Sequence, residues 1–292
     1  MAAERLDGKA CAAEVESTLV PRIEALNSRG VEPHLVVIIV GDDPASKVYV
    51  SAKQSACERL GIKSTRYSLA ADIEESELIS LIHTLNEDTN VHGVLIQSPL
   101  PSGMDEIRLT ELVDPSKDVD GFHPHNLGRL VQGRTDGLLP CTPLGIIRML
   151  DWKGVELAGK RAVVIGRSRI VGMPLSLMLA ARGCDATVTI VHSRTKDIES
   201  ICSDAEILFA AVGSPGLVKS EWVKQDSVVI DVGVNRVSDS SNERGWSLMG
   251  DVDSEVSERA AFLSPVPGGV GPMTIAMLMS NTVLAAEKIE PK

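Results

Sequence analysis

Tyr49 and Lys53 are the first two residues along the chain whose side-chain types and spacing would allow them to take part in catalysis. The apolar spacing of residues 46–60 predicts a helix ending at Gly61, and residues four apart lie on one helical face. A lysine amine in such a place could transfer protons during catalysis. The residues alone also allow a simpler interpretation, an exposed lysine beside a half-buried tyrosine.

Two further polar residues of interest are Gln97, at the end of a predicted strand, and Asp120, in a predicted loop. Gln97 ends the predicted strand 91–97, and ligand-binding groups of open α/β sheets lie beyond the carboxyl ends of strands. Gln97 could equally make only a strand-terminal hydrogen bond. Asp120 lies within residues 114–137, which are rich in Asp, Gly, Pro and Asn and are predicted mainly as loop.

No metal site is predicted around Asp120. An EF-hand with Asp120 at position 5 would have Ser116 at position 1 and Leu127 at position 12, where calcium requires acids. His123 and His125 have no third ligand at a suitable spacing. The common nucleophile, zinc-protease and P-loop motifs are not found either.

A sharp turn between a strand and a helix is predicted at Gly166-Arg167-Ser168. The helix that follows (residues 171–182) would offer unpaired N–H groups to a phosphate, as in dinucleotide sites. The spacing is not Gly-x-Gly-x-x-Gly, so an ordinary strand-to-helix turn remains an alternative.

The end of the next strand indicates which dinucleotide would bind. NAD sites usually carry an acid there, whereas this chain has Ser193 and Arg194 after the strand 187–191. These two side chains could donate hydrogen bonds to a 2′-phosphate, so we expect NADP. The alternative is that Arg194 is an ordinary solvated surface residue.

Residues 265–274 combine prolines and glycines immediately before a predicted helix over residues 273–288. Such a segment has an unusual backbone with exposed N–H groups, and the helix N-terminus could hold an anion or a polar ring. A rigid connector between domains would have the same composition, and both interpretations can hold together.

Strands and helices alternate along the whole chain, which predicts parallel sheets covered by helices. Two such series are visible, with a break near residues 140–160. We therefore expect an α/β protein of two domains.

Composition excludes several classes of protein. The net charge of −11 and the 3% aromatic content argue against a general nucleic-acid binder. No apolar run approaches the ~20 residues that a membrane span needs, and no signal peptide is expected. The five scattered cysteines are typical of a reduced compartment, so we expect a cytoplasmic protein.

Taken in order, these segments resemble the bifunctional methylenetetrahydrofolate dehydrogenase/methenyltetrahydrofolate cyclohydrolase family. The resemblance covers nearly the whole chain. The segments on which the resemblance rests are residues 6–9, 46–53, 93–101, 115–122, 166–168 and 265–274. One departure is Ser98, where many members have another residue; it could alter the fit of the pocket.

The resemblance implies oxidation of 5,10-methylenetetrahydrofolate with NADP, followed by hydrolysis to 10-formyltetrahydrofolate, in the one-carbon metabolism that supplies purine, methionine and histidine-linked pathways. Lys53 matches the family's catalytic lysine, and Tyr49 its stacking and orienting neighbour. Gln97 matches the glutamine that hydrogen-bonds that lysine, and Asp120 the acid that grips the pterin ring.

The resemblance also assigns the remaining site residues and the domains. The cofactor positions are Gly166, Arg167, Ser168, Ser193 and Val234, with Thr142 near the nicotinamide. The folate-lining positions include Pro267, Gly268, Gly269, Gly271 and Thr274. A catalytic domain of residues 1–142, completed by the returning helix 273–292, would precede a Rossmann-like NADP-binding domain of residues 143–272. A homodimer is implied as well.

Three rival interpretations differ in activity. One is a folate dehydrogenase without cyclohydrolase activity, against which Lys53, Tyr49 and Gln97 argue. Another is an unrelated NADP-dependent α/β dehydrogenase, which would leave Asp120 and residues 265–274 without a role. The third is a non-catalytic nucleotide-binding protein.

The cofactor prediction can be tested at Ser193. Replacing Ser193 by Asp places a negative charge where the 2′-phosphate would lie, so NADP binding should weaken far more than NAD binding. Titration of the variant with both nucleotides measures this difference. Equal losses for the two would show that this segment does not contact the 2′-phosphate.

Overall fold

The computed structural model describes residues 2–242 and 244–288, which form two compact units. We call residues 13–141 with 275–288 the first unit, and residues 2–12 with 142–274 the second unit. Both are α/β structures with parallel sheets, as the sequence predicts.

The first unit contains a three-stranded parallel sheet in the order β3-β2-β4. The strands are β2 (His34–Val40), β3 (Lys63–Leu69) and β4 (Gly93–Ile96). Every residue of β2 is buried, because this central strand is covered on both faces and consists almost entirely of aliphatic side chains. Its pairing with β4 aligns Ile38 with Ile96 and so brings the carboxyl ends of the two strands together.

Helices surround this sheet. They are α1 (Gly8–Ser28), α2 (Pro44–Leu60), α3 (Glu75–Glu87), α4 (Glu106–Glu111), α5 (Pro124–Val131) and the end of α9 (Val270–Lys288). The return of the last helix is confirmed: Arg22 of α1 makes two hydrogen bonds to Glu287 of α9, at 2.8 and 2.9 Å.

The second unit contains a six-stranded parallel sheet in the order β1-β11-β8-β7-β5-β6. The strands are β1 (Glu4–Arg5), β5 (Arg161–Ile165), β6 (Thr187–Val191), β7 (Ile207–Ala210), β8 (Val228–Asp231) and β11 (Phe262–Leu263). The chain adds β6 on one side of β5 and then β7 on the other. This reversal creates a crevice beyond the carboxyl ends of β5 and β7, the place where such sheets bind ligands.

The other regular elements of the second unit are helical or antiparallel. They include α6 (Cys141–Trp152), which begins at the boundary with the first unit, α7 (Gly172–Ala180), α8 (Ile198–Ser203) and the hairpin of β9 (Asn235–Ser238) and β10 (Trp246–Met249). Among the described residues, no helix combines the length and apolar character that crossing a bilayer requires.

Several elements differ from the sequence prediction. Residues 114–137 were predicted mainly as loop, yet they contain α5, which starts with Pro124 after a capping His123. Helix α9 begins at Val270, three residues earlier than predicted, because Pro272 is tolerated in a first turn. The sequence prediction also lacked the short elements β1, α4, α8, β9 and β10.

The first residues of the chain also lie elsewhere than the sequence suggests. They were assigned to the N-terminal domain, whereas residues 2–12 pack within the second unit. The reason is β1, which pairs in parallel with β11 through Glu4 and Arg5. A two-residue strand has no periodicity that a sequence pattern could reveal.

A buried histidine pair makes the first unit sensitive to acid. The backbone N–H of His34 donates to Nδ1 of His92 at 3.1 Å, which requires that nitrogen to be unprotonated. Burial lowers the pKa of His92 to about 4, with the neighbouring charges of His34 and Lys117 acting in the same direction. The pKa of His92 is 6.5 in the unfolded chain. Neutral His92 therefore makes its full contribution to stability above pH 6.5, and this contribution is lost as the pH falls towards 4.

We expect the free energy of unfolding to fall by about 2 kcal/mol between pH ~7.5 and pH ~5 through His92 alone. In His92→Asn, whose amide oxygen can still accept from His34, this part of the pH dependence should disappear. Urea unfolding at both pH values measures it. His83→Asn, at an exposed position on α3, is the matched control. The same pH dependence in both variants and the parent would contradict the assignment.

Candidate functional site

In the first unit, the predicted lysine and glutamine are in direct contact. Nζ of Lys53 donates a hydrogen bond to Oε1 of Gln97 at 2.9 Å. Gln97 directly follows β4, and its backbone N–H donates to the carbonyl of Ile38 at 2.8 Å. Its own Nε2 donates to the carbonyl of Ser98 at 2.8 Å, which fixes the amide with its oxygen towards the lysine.

Helix α2 carries Lys53 to this place. Asp43 caps the helix by accepting from the N–H of Ser46 at 2.7 Å, Pro44 occupies its first turn, and Gly61 ends it in the left-handed region. Lys53 is 8% exposed, which excludes the surface-lysine interpretation. Tyr49 lies one turn earlier on the same face and is 43% exposed, so its ring is open to a ligand.

Asp120 belongs to the same electrostatic environment. Part of its surface remains accessible, yet protein atoms surround the carboxyl densely enough that burial raises the pKa of Asp120. The positive charge of Lys53 opposes this rise, whereas Asp118 adds to it. The first unit therefore brings together an amine, an amide, a carboxyl and an exposed aromatic ring.

A residue that the sequence analysis missed supports the Asp120 segment. Nδ2 of Asn281, on α9, donates to the carbonyls of Val119 at 2.8 Å and Leu139 at 2.9 Å. The Cys141 thiol also donates to Val119, at 3.2 Å. The signal that could have identified Asn281 was that it is the one amide side chain within α9, a helix that is mostly apolar.

In the second unit, the turn after β5 is as sharp as the sequence predicts. Gly166 has φ +115°, and a Cβ there would overlap the carbonyl of Ala211. A Cβ on Gly172 would overlap the carbonyl of Gly166, so α7 packs directly on the turn. Oγ of Ser168 accepts from the N–H groups of Val171 at 3.1 Å and Gly172 at 3.3 Å. Ser168 thus caps α7, and exposed Arg167 beside it remains available to a ligand.

The other predicted cofactor residues follow neighbouring strands of the same sheet. Ser193 and Arg194 are exposed after β6, and residues 192–196 contain no acid. Val234 is 43% exposed after β8. Since the carboxyl ends of parallel strands lie at one edge, these residues share the edge that carries Gly166. Thr142 is paired with Thr274, the two Oγ1 atoms being 2.9 Å apart.

The proline–glycine segment is a compact turn leading into α9. Gly268 has φ +106°, and a Cβ on Gly269 would lie 2.6 Å from the carbonyl of Pro265. The peptide between Val266 and Pro267 is cis. Gly271 lies in the first turn of α9, where N–H groups have no helical partner.

No group of three or more metal-ligating side chains occurs within residues 2–242 and 244–288.

Comparison with known proteins identifies the family. The model for the catalytic domain of tetrahydrofolate dehydrogenase/cyclohydrolase matches residues 6–120, and the model for its NAD(P)-binding domain matches residues 140–290. The bifunctional protein FolD of Campylobacter curvus is 50% identical over 97% of this chain and 95% of its own.

Solved structures agree. The bifunctional FolD enzyme of Campylobacter jejuni superposes with a TM-score of 0.93 at 47% identity, covering 98% of this chain and 99% of its own. The Trypanosoma brucei FolD enzyme, solved with NADP and an inhibitor, gives 0.93 at 38% identity over 99% and 98%. The chain therefore belongs to the tetrahydrofolate dehydrogenase/cyclohydrolase family.

Proposed function

We propose that the protein oxidises 5,10-methylenetetrahydrofolate with NADP to the 5,10-methenyl form and hydrolyses that product to 10-formyltetrahydrofolate, within folate one-carbon metabolism. Family membership supports both activities. The observation that carries the proposal is the hydrogen bond between buried Lys53 and Gln97 at the carboxyl end of β4. A dehydrogenase with no hydrolytic step has no need of a proton-transfer group there.

The residues at the edge of the second sheet fit NADP. The glycine-lined turn at Gly166 admits a close backbone approach, and the N-terminus of α7 favours a phosphate. Residues 192–196, which directly follow β6, contain no acid, and the exposed Ser193 and Arg194 can donate to a 2′-phosphate. When bound, NADP supplies the acceptor for the hydride, so the task of the chain is to hold the two reactants in alignment.

Hydrolysis needs more from the chain itself. Water adds to the electrophilic methenyl carbon and must lose a proton, and a ring nitrogen must gain one before the ring opens. We assign these proton transfers to Lys53, held by Gln97. The exposed ring of Tyr49, one helical turn away, is assigned the stacking contact with the folate.

Asp120 is assigned to recognition of the pterin. Its carboxylate can accept two hydrogen bonds from the amino-pyrimidine edge, and each such charge-assisted bond is worth roughly 1.5–3 kcal/mol. Burial raises the pKa of Asp120, and the positive charge of Lys53 opposes this rise and so favours the ionised form that the contact requires.

The remaining assignments are proposals of the same kind. The cofactor would contact Gly166, Arg167, Ser168, Ser193, Arg194, Val234 and Thr142. The folate would contact Pro267, Gly268, Gly269, Gly271 and Thr274. The exposed backbone of this segment and the unpaired N–H groups at the start of α9 support the second set.

We further propose a cytoplasmic homodimer in which the first unit is the folate-binding catalytic domain and the second unit is the NADP-binding domain. None of the five cysteines, all of which lie within the described residues, forms a disulfide, and this supports a reducing compartment. Two-fold symmetry is the commonest arrangement of soluble oligomers.

The decisive variant is Lys53→Gln. Loss of the proton-transfer group should slow hydrolysis by about 10²–10⁴-fold, whereas hydride transfer, which depends on alignment, should remain measurable. Methenyltetrahydrofolate would then accumulate. Single-turnover kinetics followed at the near-UV band of the methenyl compound separates the two steps.

Lys47→Gln is the matched control, because Lys47 lies on the same helix but is exposed and paired with Asp42 at 2.8 Å. This control should keep both rates. Undiminished hydrolysis in a Lys53→Gln protein with a native circular dichroism spectrum would contradict the proposed role.

A further inference from the structure

A buried carboxylate organises the two loops that follow β7 and β8. Asp251 is 0% exposed. One of its oxygens accepts from the backbone N–H groups of Val212 at 2.7 Å and Gly213 at 2.9 Å. The other accepts from the N–H of Ser214 at 2.8 Å and from Nδ2 of Asn235 at 2.9 Å. Three successive amides of one loop and a side chain of the next thus converge on a single charge.

A second buried acid fixes the position of the first. Asp231, the last residue of β8, accepts from the N–H groups of Gly233 at 3.0 Å, Asp251 at 2.9 Å and Val252 at 3.0 Å. A Cβ on Gly233 would overlap the Asp251 carboxylate, and a Cβ on Gly250 would overlap that of Asp231. The two glycines therefore make room for the two carboxylates, and the arrangement has little freedom to shift.

These contacts bear directly on the edge assigned to the cofactor. Val234 lies between Gly233, held by Asp231, and Asn235, held by Asp251. Ala211, immediately before the Asp251-bound loop, packs against the turn at Gly166. Two apolar side chains, Val212 at 39% and Val234 at 43% exposure, are thereby presented to solvent at the crevice beside β7.

We propose that Asp251 is a positioning residue for the dinucleotide cofactor, because it holds residues 212–214 and 234–235 in the conformation that receives NADP. The inference rests on the proposed function for the identity of the ligand. Asp251 itself does not reach the ligand, since it is fully buried behind the loops that it binds.

The test uses the full chain with Asp251→Asn, which keeps the size of the side chain but replaces one accepting oxygen by a donor. We expect the Kd for NADP, measured by calorimetry, to rise by about tenfold or more. The kcat/KM of the dehydrogenase reaction should fall by about 10–100-fold. Hydrolysis of added methenyltetrahydrofolate transfers no hydride, so it should stay within about twofold of the parent rate.

Asp253→Asn is the matched control, because it removes a charge two residues away that binds Lys219 at 2.8 Å and the N–H of Glu255 at 3.1 Å, outside both loops. It should leave the Kd for NADP unchanged. An unchanged Kd in folded Asp251→Asn would overturn the proposal. So would a parallel loss of hydrolysis, NADP binding and thermal midpoint, since that pattern indicates a purely structural role.

If Asp251→Asn fails to fold, Asn235→Ala decides the question. It removes one donor to Asp251 from a partly exposed position, and a Kd raised by several-fold with intact hydrolysis supports the proposal, whereas an unchanged Kd overturns it. A parent protein that binds NADP but turns over no folate would refute the proposed function, while the comparison of Kd values would still decide the role of Asp251.

Discussion

The hydrogen bond from Lys53 to Gln97 is the interaction on which the catalytic assignment depends. It joins residues that are 44 positions apart, and it forms only because β4 pairs with β2 in a register that places Gln97 beside Ile38. The cap at Asp43 sets where α2 begins and therefore which residue faces the strand end. A shift of one residue in α2 or in β4 would point the amine of Lys53 or the amide of Gln97 in another direction, and the hydrogen bond would be lost.

Both units position their polar groups in the same way. In each, parallel strands bring polar groups from distant parts of the sequence to one edge, and buried polar contacts fix the loops that follow the strands. Asn281 does this for the segment before Asp120, and Asp251 does it for the loops after β7 and β8. The exposed groups can thus be held in place without contacts that a ligand would have to displace.

Much of the fold follows from local sequence patterns. The sharp turn at Gly166 was predicted because a β-branched run ends at a glycine, and β5 does end there, with Gly166 at a positive φ. Helix α5 escaped prediction, since its short apolar face lies in a segment dominated by loop-forming residues. Strand β1 escaped because its two residues gain their structure only from pairing with β11.

The site was less accessible to sequence reasoning than the fold. Lys53 alone is compatible with a surface lysine, and only the order of several segments indicated its partner. Asp251 follows a glycine within a short loop and looks like an exposed turn acid, although it is fully buried. Its role depends on three backbone amides, and backbone donors leave no trace in residue identities.

A double-mutant cycle on Lys53 and Gln97 tests the central claim most directly. The rate of methenyltetrahydrofolate hydrolysis would be measured in the parent, Lys53→Gln, Gln97→Ala and the double variant. If the two residues act as one unit, Gln97→Ala lowers the parent rate but adds little once Lys53 is gone. If the double variant instead loses the product of the two single losses, the residues act independently, and the account given for the Lys53–Gln97 hydrogen bond is wrong.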